Sequence, residues 1–162
     1  MEVNMKVILK ISSPKTVNYK VKGKTYTEAA NFLINKPFSA CYEAHPSFKH
    51  KFDNAGNTNQ ITITAKPTIT MPQWPGASKL KDDEKKHWAA MMKALAKHEK
   101  KHHKIFEDDA KKFKKSAEAD GDIPKADVPA KMNTFFTDSQ GNQDSFDHKT
   151  DHGTKEGVVL PI

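Results

Sequence analysis

Apolar and polar residues follow two rhythms in this chain, alternation in separate strand-like runs within residues 1–75 and a period near 3.6 in the helical stretches of residues 78–162. Met5 to Ile11 and Thr16 to Val21 read as strands on either side of the turn cluster Ser12-Ser13-Pro14-Lys15. Gly23 ends the second strand. Thr25 and Glu28 then have the spacing of a capping box, opening a short helix through about Ile34 that Pro37 bars from extending. Tyr19, Tyr26, Phe32 and Leu33 are expected in the core. Phe38 to Asn59 has no regular pattern except a strand over Ser47 to Phe52, which leads into the turn residues Asp53 to Asn57. Gln60 to Ala65 alternates cleanly and runs on through Met71. Pro67 and Pro72 lack the amide donor that an interior strand uses, so Ile61 to Met71 is predicted to be an edge or bent strand.

The second rhythm predicts a long helix, with Ser78, Asp82 and Asp83 as candidate caps and a run to about Ser116. Trp88, Met91, Met92, Leu95, His98, His102, Ile105, Phe106 and Phe113 fall on one stripe, while Lys93, Lys97, Lys100, Lys104, Lys111 and Lys115 fall mostly on other faces. Asp120 to Pro124 stops this helix. Asp127-Val128-Pro129 opens a shorter one that Ser139-Gln140-Gly141-Asn142 is expected to close. Phe146 to Gly153 then reads as a loop, and Val158-Val159-Leu160 as a short strand. The fold class is therefore α+β, one domain over 1–162. Its strand-rich part with one short helix covers 1–75, and its helical part with a C-terminal loop covers 78–162.

Composition narrows the functional classes. Hydrophobic residues make up 36% and charged residues 29%, so the core is modest and the surface heavily solvated. No apolar run approaches the roughly eighteen residues of a membrane span. The stretch from Met1 to Lys6 has no signal-peptide pattern. The net charge is +7, and every one of the 27 basic residues is Lys. Readers of nucleic acid lean on Arg for bidentate contacts, so no nucleic-acid partner is expected. Cys41 stands alone and excludes an intramolecular disulfide.

The candidate chemistry lies on the long helix, in His98-Glu99-Lys100-Lys101-His102. Histidines at i and i+4 point from one face toward a common point, which suits one Zn²⁺ held by a nitrogen from each. Glu99 lies about 100° round the axis from His98, close enough to act as a general base on a water at that ion. Both histidines lie in the apolar stripe, where a solvated Lys/His helix would scatter them.

A catalytic zinc normally takes three protein ligands. The extended pattern H-E-x-x-H-x-x-G-x-x-H fails here, with Ile105 in place of Gly and Asp108 in place of the last His. A straight helix carries Asp108 and Asp109 away from the ion, and Glu118 serves only if the chain turns back. His152 is the expected third ligand. It precedes Gly153, which allows close backbone approach, and Thr150 and Asp151 could hydrogen-bond its ring. His148 is the main rival. His45 and His50 are expected to be surface residues.

Tyr19 to Thr25, Ile69 to Trp74, Trp88 before the His98–His102 motif, and Asp147-His148-Lys149-Thr150-Asp151-His152-Gly153 stand in the order of a bacterial family. The chain resembles the DUF922 proteins, which are described as secreted zinc-dependent proteases. The resemblance covers nearly the whole chain. It implies a small zincin-like domain, with an antiparallel or mixed sheet packed on the motif-bearing helix and a shorter C-terminal helix. It also implies His98 and His102 as ligands, Glu99 as catalytic acid/base and His152 as third ligand. Where the family often has Tyr before the Asp of the tail motif, this chain has Phe146. The resemblance points to a secreted or periplasmic protein, while the missing signal leaves effector-type delivery or a cytoplasmic location open.

The function expected is that of a zinc peptidase, with a peptide or protein substrate held along the edge strand Ile61 to Met71. Two other readings remain. One is a non-catalytic cationic module for anionic lipid or nucleic acid, with a structural metal or none. The other is a zinc hydrolase acting on cell-wall crosslinks.

Overall fold

The structure, a computed structural model, describes residues 5–162, so most of the N-terminal stretch read for an export signal lies outside the described residues. The fold is α+β, with mixed sheets and three α-helices among the described residues. The elements run β1 (Lys6–Ile11), β2 (Lys15–Lys20), α1 (Tyr26–Ile34), β3 (Cys41–Glu43), β4 (Pro46–Phe52), β5 (Asn57–Ala65), β6 (Thr68–Gln73), α2 (Asp82–Asp120), β7 (Ile123–Pro124) and α3 (Val128–Thr150). No helix among them is long and apolar enough to cross a membrane. They form two compact units, and each takes strands from the first half of the chain and stretches of α2 and α3 from the second.

The first unit comprises Met1–Pro14, Ala44–Pro67 and His103–Asp144. Its sheet has the order β1-β5-β4, with β1 parallel and β4 antiparallel to β5, and with β7 also paired to β5. Ile61 and Ile63, which alternate with threonines, are fully buried. Met5, Val7, Ala65 and Ile123 are buried too, and the helices contribute Phe106, Ala110, Ala117, Val128, Met132 and Phe135. The outer edge of β1 is covered by side chains of α2. Val7 N donates to Glu118 Oε1 (2.9 Å), and Lys114 Nζ donates to Val7 O (2.6 Å). An edge strand otherwise presents unpaired backbone groups.

The second unit comprises Lys15–Glu43, Thr68–His102 and Ser145–Ile162. Its sheet has the order β2-β6-β3, with β2 parallel and β3 antiparallel to β6. The capping box forms at α1, since the Thr25 hydroxyl accepts from Glu28 N (3.3 Å). The Glu28 carboxylate accepts in turn from Lys24 N (2.6 Å), one residue before the cap. Val21, Tyr26, Ala29, Leu33, Ile69, Met71, Trp74, Trp88, Met91 and Leu95 make one buried cluster. Trp74 and Trp88 pack with their rings tilted by 53° and centroids 5.1 Å apart, and the Trp74 indole N–H donates to Gly23 O (2.9 Å).

Three expectations change. Ile61 to Met71 is not one edge strand but parts of β5 and β6, which lie in different sheets and are each paired on both sides. Pro67 breaks the run between them. Pro72 is tolerated inside β6 because its missing donor faces away from β2. Gln73 O accepts from Val21 N (2.8 Å), so by alternation Pro72 faces the other side, beyond Thr70 where β3 pairing ends.

The second change concerns α3, which continues through Gly141 to Thr150. Its buried positions Val128, Met132, Phe135, Ser139, Gln143 and Thr150 keep a helical rhythm. A glycine inside a helix costs only about 1 kcal/mol relative to alanine, which packing along such a stripe offsets. Third, Val158 to Leu160 is not a strand. Val158 and Leu160 pack on the second unit's core as irregular chain.

Candidate metal centre

The site belongs to the second unit and starts from the stripe on α2. Leu95, His98 and His102 follow one another down the buried face, so both imidazoles leave the helix toward its core side. His98 and Glu99 are each only 3% exposed. The last turns of α3 bring Phe146 and Asp147 against them. The Phe146 ring stacks on His98 (4.8 Å between centroids, 21°) and meets His102 edge-on (4.9 Å). Tyr42 of β3 lies parallel to the His102 imidazole, with ring centroids 6.3 Å apart.

Three ligand atoms converge. Asp147 Oδ1 lies 3.0 Å from His98 Nε2 and 2.9 Å from His102 Nε2, and the two nitrogens are 3.2 Å apart. Among the described residues this is the group that could hold a metal ion. A tetrahedral ion with bonds of about 2.0–2.1 Å holds its ligand atoms about 3.3 Å apart, so a spread of a few tenths of an ångström admits one. The donor chemistry also fits. His98 Nδ1 is 2.7 Å from Glu156 Oε2, and a neutral imidazole has one N–H and one lone pair. With the proton on Nδ1, His98 Nε2 turns its lone pair on a carboxylate oxygen. A cation bound between them, or a second proton on the ring, turns that contact into an attractive one.

Glu99 sits beside this group. Burial pushes its carboxyl up to about 7; His98 opposes the rise and the Asp147 carboxylate adds to it. The Glu156 carboxyl is held below its ordinary value. Burial raises it, but hydrogen bonds from Lys101 and His98 outweigh that effect.

The structure brings His98 and His102 together with Glu99 nearby, and the third converging side chain is Asp147. His152 is 61% exposed, with Nδ1 3.9 Å from Asp147 Oδ2. The reason is the helix end. Asp151 (φ +52°), His152 (φ +50°) and Gly153 (φ +86°) form a left-handed turn in which His152 N donates to Asp147 O (2.8 Å). That turn faces His152 outward. The Thr150 hydroxyl is also used here, donating to Phe146 O (2.9 Å).

His148 is exposed on α3. Glu118 is engaged with Val7 and Lys114 in the first unit, where Asp108 pairs with Lys104 and Asp109 accepts from Asn142. His45 is exposed, and half-buried His50 lies 3.3 Å from the Thr58 hydroxyl. Sequence reasoning missed Asp147 and Glu156 as members of the site. The stripe through Ser139 and Gln143, continued seven residues to Thr150, would have kept Asp147 on a helix; nothing in the pattern marks Glu156.

The model of a family described as bacterial protein of unknown function (DUF922) matches residues 16–153. No curated protein and no solved structure matches the chain.

Proposed function

Taking as premise that the chain belongs to the DUF922 family, we propose that it is a zinc-dependent peptidase whose ion is held by His98, His102 and Asp147. The observation that carries this reading is the convergence of two Nε2 atoms and one carboxylate oxygen beside a buried glutamate. Two imidazoles and a carboxylate suit Zn²⁺ and leave a position open for substrate. When bound, the ion supplies Lewis acidity to the scissile carbonyl and lowers the pKa of a water. Glu99 does the proton work. It accepts a proton as the water oxygen bonds to the carbonyl carbon, and returns it to the amine nitrogen as the C–N bond breaks. A carboxyl that burial brings close to neutrality is suited to both transfers. Phe146 and Tyr42 flank the imidazoles and limit the directions from which water reaches them.

An extended substrate would lie along a terminal strand of the second unit's sheet. That strand is β3, which ends the order β2-β6-β3 and places Tyr42 against His102. It replaces the interior stretch Ile61 to Met71. The zincin-like likeness is part of this proposal, as is a location where peptide substrates are met outside the cytoplasm. The experiment is Glu99→Gln assayed on a peptide library with zinc content measured in parallel. Retained zinc with hydrolysis reduced at least ~100-fold supports the reading. Undiminished hydrolysis refutes it.

A further inference from the structure

We infer that Glu156 is a positioning residue for the metal centre, and that the segment following Gly153 straps His98 into its ligating orientation. The inference rests on the reading of His98 as a ligand through Nε2. Four observations carry it. Glu156 Oε2 lies 2.7 Å from His98 Nδ1, and its other oxygen accepts from Lys101, one turn along the same face of α2. One carboxylate therefore bridges two side chains at i and i+3.

The turn that delivers Glu156 is built for the purpose. Thr154–Glu156 is a single 3-10 turn between Gly153 (φ +86°) and Gly157 (φ +94°). Gly153 O accepts from both Glu156 N (2.8 Å) and Val158 N (3.1 Å). Gly153 itself rides on the imidazole. A Cβ there would lie 2.7 Å from Val158 Cγ2 and 3.2 Å from His98 Cγ, so only glycine lets the chain pass this close. Beyond it, Val158 and Leu160 pack on the Trp74–Trp88 core and anchor the strap. The family match ends at residue 153, so this segment lies outside it.

The physical consequence is a choice of tautomer. A carboxylate on Nδ1 makes that nitrogen the donor and leaves Nε2 with its lone pair, aimed at His102 Nε2 and Asp147 Oδ1. Without Glu156, the Asp147 oxygen at 3.0 Å would draw the proton to Nε2 instead and close the site. The ring would also be free to rotate about its bond to the helix.

The test uses the full chain labelled with ¹⁵N at histidine, with Glu156→Ala and the isosteric Glu156→Gln, read by Zn²⁺ titration and by NMR of the His98 Nδ1–H proton. Wild type should show that proton protected from exchange both with and without Zn²⁺. Glu156→Ala should lose the protection and bind Zn²⁺ about 10–100-fold more weakly. Glu156→Gln, whose amide oxygen still accepts from Nδ1–H, should fall between the two. A Glu156→Ala variant that keeps the protected proton, or its Zn²⁺ affinity, overturns the inference. If wild type binds no Zn²⁺, the peptidase reading fails, while the metal-free spectrum still decides whether Glu156 holds the tautomer.

Discussion

Asp147 Oδ1 lies 2.9 Å from His102 Nε2, and the same oxygen is 3.0 Å from His98 Nε2. One oxygen thus faces both histidines of the helical motif, whereas the largely exposed His152 comes only to 3.9 Å from the other Asp147 oxygen. Asp147→Ala should therefore weaken Zn²⁺ binding by ~100-fold or more, and His152→Ala by only a few-fold. Competition with a chromophoric chelator measures both. The reverse order would return the third position to His152.

Glu99 makes a pH prediction for the metal-free chain. Its folded-state carboxyl titrates at about 7 against an ordinary value of 4.5, chiefly through burial. The folded chain binds the extra proton between these values, so this group's contribution to stability falls as pH rises through that window. The loss is roughly 3 kcal/mol when complete. Glu99→Gln should match wild type near pH 4 and exceed it at pH 8 in urea unfolding of metal-free protein. Parallel pH profiles for the two proteins would contradict this.

Glu118 predicts the opposite slope in the first unit. The hydrogen bond from Lys114, then that from Val7 N, hold its carboxyl below the ordinary range. Its contribution is present above the unfolded-state value and is lost as pH falls through the lower folded-state value. Glu118→Ala should cost stability at pH 7 and progressively less in acid. Thermal unfolding at several pH values checks it, and a cost independent of pH would show that the carboxylate is not the cause.

Gly23 sits at φ +133°, where a Cβ would lie 2.7 Å from the Ala29 backbone nitrogen, and its carbonyl receives the Trp74 indole. Gly23→Ala combines backbone strain with a clash against a helix start. It should destabilise the protein by about 2 kcal/mol or more. Gly56→Ala, also at positive φ (+83°) but with nothing within 4 Å, isolates the strain and should cost less. Equal losses would remove the clash from the account.

The legible parts of this fold were those where one residue type carries one meaning. The alternation of Ile61 and Ile63 with threonines gave a strand, Thr25 with Glu28 gave a helix start, and Trp88 to Phe106 gave the stripe that holds both histidines. Where polar residues are buried, the pattern failed. Ser139 and Gln143 occupy core positions of α3, so the polar run reads as a helix stop near Gly141 and puts Asp147 in a loop. Pro72, the one proline of β6, misleads for another reason. A missing donor matters only on a side that has a partner, and whether the side Pro72 faces has one depends on where β3 stops. The Glu156 contact depends on two left-handed glycines reversing the chain, a long-range event that local periodicity does not encode.

Titration of metal-free protein with Zn²⁺, followed by calorimetry, decides whether His98, His102 and Asp147 form a metal centre. One saturable site per chain is expected, lost in His98→Ala, His102→Ala and Asp147→Ala. No saturable binding, or binding that survives all three substitutions, would contradict it.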